Sequence, residues 1–268
     1  MSTTTQYTVD LAGVGPVELT VAEFGSGQPF LLLHGGAGPQ SVTGFAEKFA
    51  AAHQVRVLAP THPGFGGTER PEGLDSIAGL AALHQALLDQ LDLTDVTVIG
   101  NSIGGWITAE VALLKSPRVS GIVLVDAVGI EVPGHPVADF FSLTMDQVFK
   151  LSFHNPEPFR IDPATLPPAA QAIAAGNRAA IAVYAGAAMT DPTLAGRLGS
   201  LEVPTLVLWG ESDGIVDTDY GRAYAAAIPL ARFQLLPGTG HSPQLETPDQ
   251  VIHAIWDSAD TDFTAFAR

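Results

Sequence analysis

The chain has 268 residues, enough for one large domain or a core domain with an insertion, and 46% of them are hydrophobic, ample for a buried core. A formal net charge of −16, from 28 acidic and 12 basic residues, argues against nucleic acid and anionic lipid as partners. Cysteine is absent, which excludes disulfides, thiol nucleophiles and cysteine metal sites.

The opening MSTTTQYTVD has neither a basic stretch nor an apolar core of the kind a secretory signal needs. No apolar run approaches the ~18 residues that cross a bilayer. A cytoplasmic protein is expected, with no membrane partner. YTVDL (7–11) and VELTVAEF (17–24) alternate polar and apolar residues around GVGP, which predicts an antiparallel hairpin. The pattern then changes to short apolar runs: FLLLH (30–34), VRVLA (55–59), VTVIG (96–100), GIVLVD (121–126), PTLVLWG (204–210) and ARFQLL (231–236). Continuous rather than alternating runs suit strands covered on both faces, as in a parallel sheet.

Helical spacing appears between these runs, in 75–93 with Asp75 as N-cap, in 103–117 up to Pro117, in 217–228 and in 247–259. Strands alternating with helices predict a doubly wound, mostly parallel α/β sheet. One interval breaks the rhythm: 126–204 contains no convincing strand, and its alanine-rich and phenylalanine-bearing segments read as an inserted helical cap. The expected division is a core of 1–129 and 201–268 with a cap of 130–200.

In VTVIGNSIGGW, Ser102 stands between Gly100 and Gly104 where a strand gives way to a helix. A serine hydroxyl is a weak nucleophile without a base beside it. A sharp strand-to-helix turn with small neighbours lifts its oxygen above the sheet, and the amide of Ile103 then points where an oxyanion would form. The base is expected late in the chain, and His241 in GTGHSPQLETP fills that place. Its rivals are less suited: His53, His84 and His253 fall in helical patterns, His135 and His154 in the expected cap, and His34 and His62 in loops beside the site. The orienting acid belongs between serine and histidine, where Asp213 sits in the loop after WG; Asp217 reads as a helix cap and Asp126, at another strand end, as the rival. HGGAGP, after the first parallel strand, offers Gly36 N–H as second oxyanion donor, and it lacks the G-x-x-x-x-G-K-[ST] pattern of a phosphate loop.

These segments, from FLLLHGG through APTHPGFGGTERP, VIGNSIGGW and PTLVLWGESDGIV to GTGHSPQLETP, together resemble the α/β-hydrolase superfamily along nearly the whole chain. The resemblance implies Ser102 as nucleophile, His241 as base, Asp213 as acid and the Gly36 and Ile103 amides as oxyanion hole. One departure is Thr61, where the family commonly has Asp ahead of the PG step. Ser102 excludes the branches that use a carboxylate nucleophile. GNSIGG, with Asn101 before the serine, looks like the hydrolases that cleave carbon–carbon bonds of meta-cleavage products; Ser242, where those commonly have tryptophan, points away. Two cap arginines, Arg160 and Arg178, could hold a dienoate carboxylate. The first expectation is an esterase acting on a small, fairly apolar substrate; carbon–carbon hydrolysis is second and a non-catalytic small-ligand receptor a remote third. Candidate substrate contacts are His34, Gly35, Asn101, Trp106, Phe140 and Phe141. No cofactor and no metal is expected, and the protein could form a homodimer.

Overall fold

Each apolar run becomes a strand whose successive side chains serve opposite layers. In β3 (Pro29–Leu33), Phe30 and Leu32 join one core while Leu31 and Leu33 join the other. This is why the run shows no polar alternation. The computed structural model describes residues 2–162 and 165–258. Residues 259–268 of the expected core and 163–164 of the expected cap lie outside the described residues.

The hairpin is β1 (Ser2–Leu11) and β2 (Gly15–Gly25), longer than expected because pairing runs out to Ser2 opposite Phe24. The remaining strands are β4 (Arg56–Pro60), β5 (Val96–Asn101), β6 (Val119–Val125), β7 (Thr205–Gly210) and β8 (Ala231–Leu236). They form one eight-stranded sheet in the order β1-β2-β4-β3-β5-β6-β7-β8. The β1–β2 and β2–β4 pairs are antiparallel, and the rest are parallel.

On one face lie α2 (Ile77–Gln90), α3 (Ile103–Leu113) and α7 (Thr218–Ala226), with Leu80, Leu87, Ile107, Val111 and Tyr220 buried against the sheet. Each such side chain contributes roughly 1.5–3 kcal/mol by leaving water. On the other face lie α1 (Gln40–His53) and α9 (Pro248–Ser258), which bury Val42, Phe45, Phe49, Ile252 and Ile255. Helix α1 is absent from the sequence reading, although Val42, Phe45, Ala46, Phe49 and Ala50 recur at helical spacing. Its start carries no side-chain cap hydrogen bond, so the usual punctuation is missing. Helix α2 begins at Ser76 rather than Asp75: the Ser76 side chain accepts the Gly79 N–H. Helix α3 stops short of Pro117, because Lys115 turns left-handed at φ 54°.

Between β6 and β7 stand α4 (Met145–Ser152), a 3-10 turn (Glu157–Phe159), α5 (Pro168–Ala185), the one-turn α6 (Leu194–Leu198) and a single bridge between Gly129 and Thr190. Arg197 anchors this segment to α3, reaching both oxygens of Glu110 at 2.6 and 2.7 Å. Among the described residues no helix is long and apolar enough to cross a membrane.

Candidate active site

The sheet register lines up the C-terminal ends of the central strands: Leu33 lies opposite Gly100, Asn101 opposite Val125 and Gly210 opposite Leu236. Chemistry in open α/β sheets collects at this edge, and here Ser102, Asp126, Asp213 and His241 all follow strands that end there.

Ser102 adopts φ 57°, ψ −120°, a conformation an L residue takes only under compulsion. The compulsion is backbone packing. A Cβ on Gly100 would stand 2.0 Å from the Gly104 oxygen, and one on Gly104 would stand 2.3 Å from the Leu33 oxygen. Both glycines are therefore required by close approach of main chain to main chain. The N–H of Ser102 donates to Val125 O (3.0 Å), which ties the turn to β6. Ile103 is the first residue of α3, so its N–H has no carbonyl one turn earlier to bond and points out of the helix start.

His241 and Asp213 meet at 2.7 Å, Nδ1 to Oδ2, both nearly buried. The other Asp213 oxygen accepts the N–H groups of Ile215 (2.7 Å) and Val216 (3.1 Å), which pins the carboxylate in one rotamer. With Nδ1 donating to Asp213, Nε2 is left as the basic nitrogen. Gly210 lets the histidine loop come close, because a Cβ there would stand 2.2 Å from the Gly240 oxygen. Asp126 is the third acid group at this edge. It is fully buried, its Oδ1 accepts the Gly210 N–H at 2.7 Å and its Oδ2 has no hydrogen-bond partner among the described residues. One oxygen of each aspartate and one His241 nitrogen lie within 4.8 Å of one another. Such a set contains metal-type donors, yet Asp213 is already committed to one imidazole and two amides.

The loop with Gly35 and Gly36 is held from below and from above. Below it, three imidazoles form a fully buried chain. His34 Nδ1 donates to Gly35 O (2.8 Å) and its Nε2 accepts the His62 N–H (3.1 Å). His62 Nε2 donates to His34 O (3.1 Å), and its Nδ1 therefore accepts from His84 Nε2 (3.0 Å). The partners leave only one tautomer for each ring, and all three are neutral: burial lowers His34 to about 4 and His84 to about 3, and drives His62 well below its ordinary value. The His34 ring, expected against substrate, is thus engaged by its own loop and by the stretch after Thr61. Above, α5 sits on the glycines. Ile181 occupies the space a Gly36 Cβ would need, and Asn177 accepts from Gly66 N–H (2.9 Å) and donates to Ala37 O (3.1 Å).

Other expected contacts are placed as follows. Asn101 donates to Val125 O (3.2 Å) and to His241 O (3.0 Å) and accepts from Gln244 (3.1 Å), so its amide links the elbow to the histidine loop. Gly35 lies against Asn101 and Ser102. Trp106 is buried on α3 against Gly129, its indole N–H without a partner among the described residues. Phe140 and Phe141 are half-buried under the Arg178 guanidinium, 4.8 and 5.4 Å from its carbon, and Arg178 donates to both their carbonyls. Arg160 pairs with Asp146 and Glu157. Asp217 caps α7 through the Tyr220 N–H.

Sequence reading missed Asn177 and Glu246. Glu246 accepts from the Gly240, His154 and Asn155 amides, which clasps the histidine loop to the segment after α4. Nothing local marks either residue, since their partners lie far away along the chain.

Comparison with known proteins agrees with this fold. A family model described as "Alpha/beta hydrolase family" matches residues 30–254. The 2-hydroxy-6-oxo-6-(2'-aminophenyl)hexa-2,4-dienoic acid hydrolase of Metapseudomonas resinovorans is 26% identical, over 92% of this chain and 89% of its own. Lipase 1 of Psychrobacter immobilis is 27% identical, over 87% of this chain and 78% of its own. The structure of a thermophilic esterase from Thermogutta terrifontis superposes with a TM-score of 0.76 at 24% identity, covering 94% of this chain and 97% of that one.

Proposed function

The chain belongs to the alpha/beta hydrolase family, and from that premise we propose that it is a serine hydrolase which cleaves a carboxylic ester of a small, fairly apolar substrate. As a hydrolase of this family it is an enzyme, and ester or carbon–carbon hydrolysis fits the relatives. The observation that carries the finer reading is the 2.7 Å Asp213–His241 pair at the same sheet edge as the strained Ser102 turn. In this reading His241 Nε2 takes the Ser102 proton as the oxygen attacks the ester carbonyl. The Gly36 and Ile103 amides receive the oxyanion, each worth about 10²–10³ in rate. His241 then protonates the leaving alcohol, and water repeats the sequence on the acyl-enzyme. Asp213 holds the tautomer and stabilises the imidazolium. Residues 130–200 act as the cap, with Gly35, Trp106, Phe140 and Phe141 nearest the substrate.

Ester cleavage is preferred because both cap arginines are engaged within the protein, Arg160 by two carboxylates and Arg178 by two carbonyls and two phenyl rings. The carbon–carbon reading is favoured by Asn101 and by the dienoic acid hydrolase relative. A fluorophosphonate probe is expected to label Ser102 and to leave Ser102→Ala unlabelled; equal labelling of both would sink the hydrolase reading. Short p-nitrophenyl esters assayed beside a vinylogous diketone acid separate the two chemistries. Turnover of the dione faster by orders of magnitude would replace esterase with carbon–carbon hydrolase.

A further inference from the structure

Two aspartates, from the ends of two neighbouring strands, reach the same histidine. Asp213 follows β7; Asp126 follows β6 and lies one strand over. Asp126 holds φ 47°, a left-handed conformation that aspartate tolerates better than most non-glycine residues. Its N–H donates to Leu208 O (3.0 Å) and its Oδ1 takes the Gly210 N–H, so the carboxyl is fixed in the crevice between β6 and β7.

Binding the Gly210 amide needs one oxygen only. The second oxygen, Oδ2, is buried without a partner among the described residues, and a buried acceptor left so carries a cost. That cost disappears if Oδ2 is a hydroxyl that donates to Asp213. Two buried carboxylates this close cannot both ionise, so the pair holds one proton. Asp213 has two amides and an imidazole on its oxygens, against one amide on Asp126. Burial first, and then the Asp213 charge, push the Asp126 carboxyl well above the usual carboxylate range. The titratable groups that face it are Asp213, from the loop after β7, and His241, from the loop after β8.

We propose that Asp126 is a second acid of this site, which steadies Asp213 through a hydrogen bond from Oδ2 and moves onto the Nδ1 side of His241 when the Asp213 carboxylate is removed. The inference rests on the hydrolase reading above. In the native site Asp126 is a positioning residue: its hydroxyl bonds the Asp213 carboxylate and holds it in place beside His241 Nδ1. Without Asp213, the like charge that keeps Asp126 protonated is gone. Asp126 then releases its proton to solvent and accepts the Nδ1–H.

The test is a double-mutant cycle on kcat/KM for a p-nitrophenyl ester. The factor lost through Asp126→Asn is measured in the native protein and again in Asp213→Ala. It is expected to be at least tenfold larger in the second background. Equal factors in the two would overturn the proposal. A pH profile supplies a readout that a purely structural role does not move. The acid limb of the profile is expected to move between Asp213→Ala and the double variant; a limb that stays in place would also overturn it. Asp213→Ala leaves the Ile215 and Val216 amides without an acceptor, so the cycle is repeated in Asp213→Asn, which keeps one, with the same direction expected. Fluorophosphonate labelling of the native protein separates the two failures. A native protein that neither labels nor turns over sinks the hydrolase reading and this one with it, whereas a labelled, active protein with equal factors sinks this one alone.

Discussion

The turn around Ser102 and helix α5 are held by opposite means. At the elbow, main chain meets main chain: a methyl on Gly100 or Gly104 would strike a backbone oxygen at 2.0 or 2.3 Å. In α5, most of the helix faces out, and its grip depends on a few side chains, chiefly Asn177, Ile181 and Tyr184, whose hydroxyl donates to Pro63 O at 2.9 Å. Steric necessity sets the position of the Ser102 hydroxyl, and a few side chains set the position of α5. A change at the first should therefore be ruinous, and a change at the second graded.

Gly104→Ala probes the elbow and carries the largest expected effect. Its Cβ would stand 2.3 Å from Leu33 O and 2.6 Å from His34 O, backbone atoms that cannot swing aside. A loss of more than about 4 kcal/mol in denaturant unfolding is expected, with labelling of Ser102 reduced at least ~100-fold in whatever folds. A stable, fully reactive Gly104→Ala protein would end the comparison.

Acid tests the layer beneath the glycine loop. His34, His62 and His84 are neutral when folded and take up protons on unfolding, because their folded values lie below the ordinary one. Their stabilisation is full above the unfolded value of 6.5 and is lost as pH falls toward about 4 and about 3. Asp126, raised by burial, works the other way by holding a proton only when folded. His135, exposed beside Asp217 and raised by it, also opposes the trend but is screened by solvent. Three protons gained and one lost leave a net of two, so stability should fall by roughly 3 kcal/mol per pH unit between pH 6 and 4.5. Urea unfolding at several pH values checks the slope, which His84→Gln should reduce by about one proton. A flat profile would mean that the imidazole chain is charged or open.

Asn177→Ala removes the clasp between α5 and the loops at Ala37 and Gly66. Expected are a loss of about 1–3 kcal/mol and a kcat lowered by about tenfold, with KM changed less. An unchanged kcat would show that α5 does not steady the Gly35–Gly36 loop for turnover. Smallest of all is Arg160→Ala, at an exposed ion pair with Asp146 and Glu157. No measurable change in unfolding midpoint or ester turnover is expected. A selective loss on the diketone acid would move the assignment toward carbon–carbon cleavage.

Much of the scaffold was legible because its signals are local. The runs at 30–34, 96–100 and 204–210 become central strands within a residue or two, and Asp217 caps its helix as expected. Helix α1 was overlooked, since its apolar stripe starts without a side-chain cap and follows a glycine loop that drew attention to itself. Ser102, Asp213 and His241 could be picked out because each stands at a marked strand end. Asn177 and Glu246 could not be, because an asparagine in an alanine-rich helix and a glutamate in a polar turn carry no periodicity.

The sequence by itself determined the α/β alternation, the strand-to-helix turn at Ser102 and the candidate order of serine, acid and histidine. All of these are written in short-range periodicity and in glycine spacing. Only the tertiary structure decided that Asp126 shares a buried crevice with Asp213, that three histidines from separate segments form one neutral chain, and that α5 rests on Gly36. Each of these depends on the distance between residues far apart in the chain, and on the loss of water around them. Burial then determines which groups stay charged and which partners they must find.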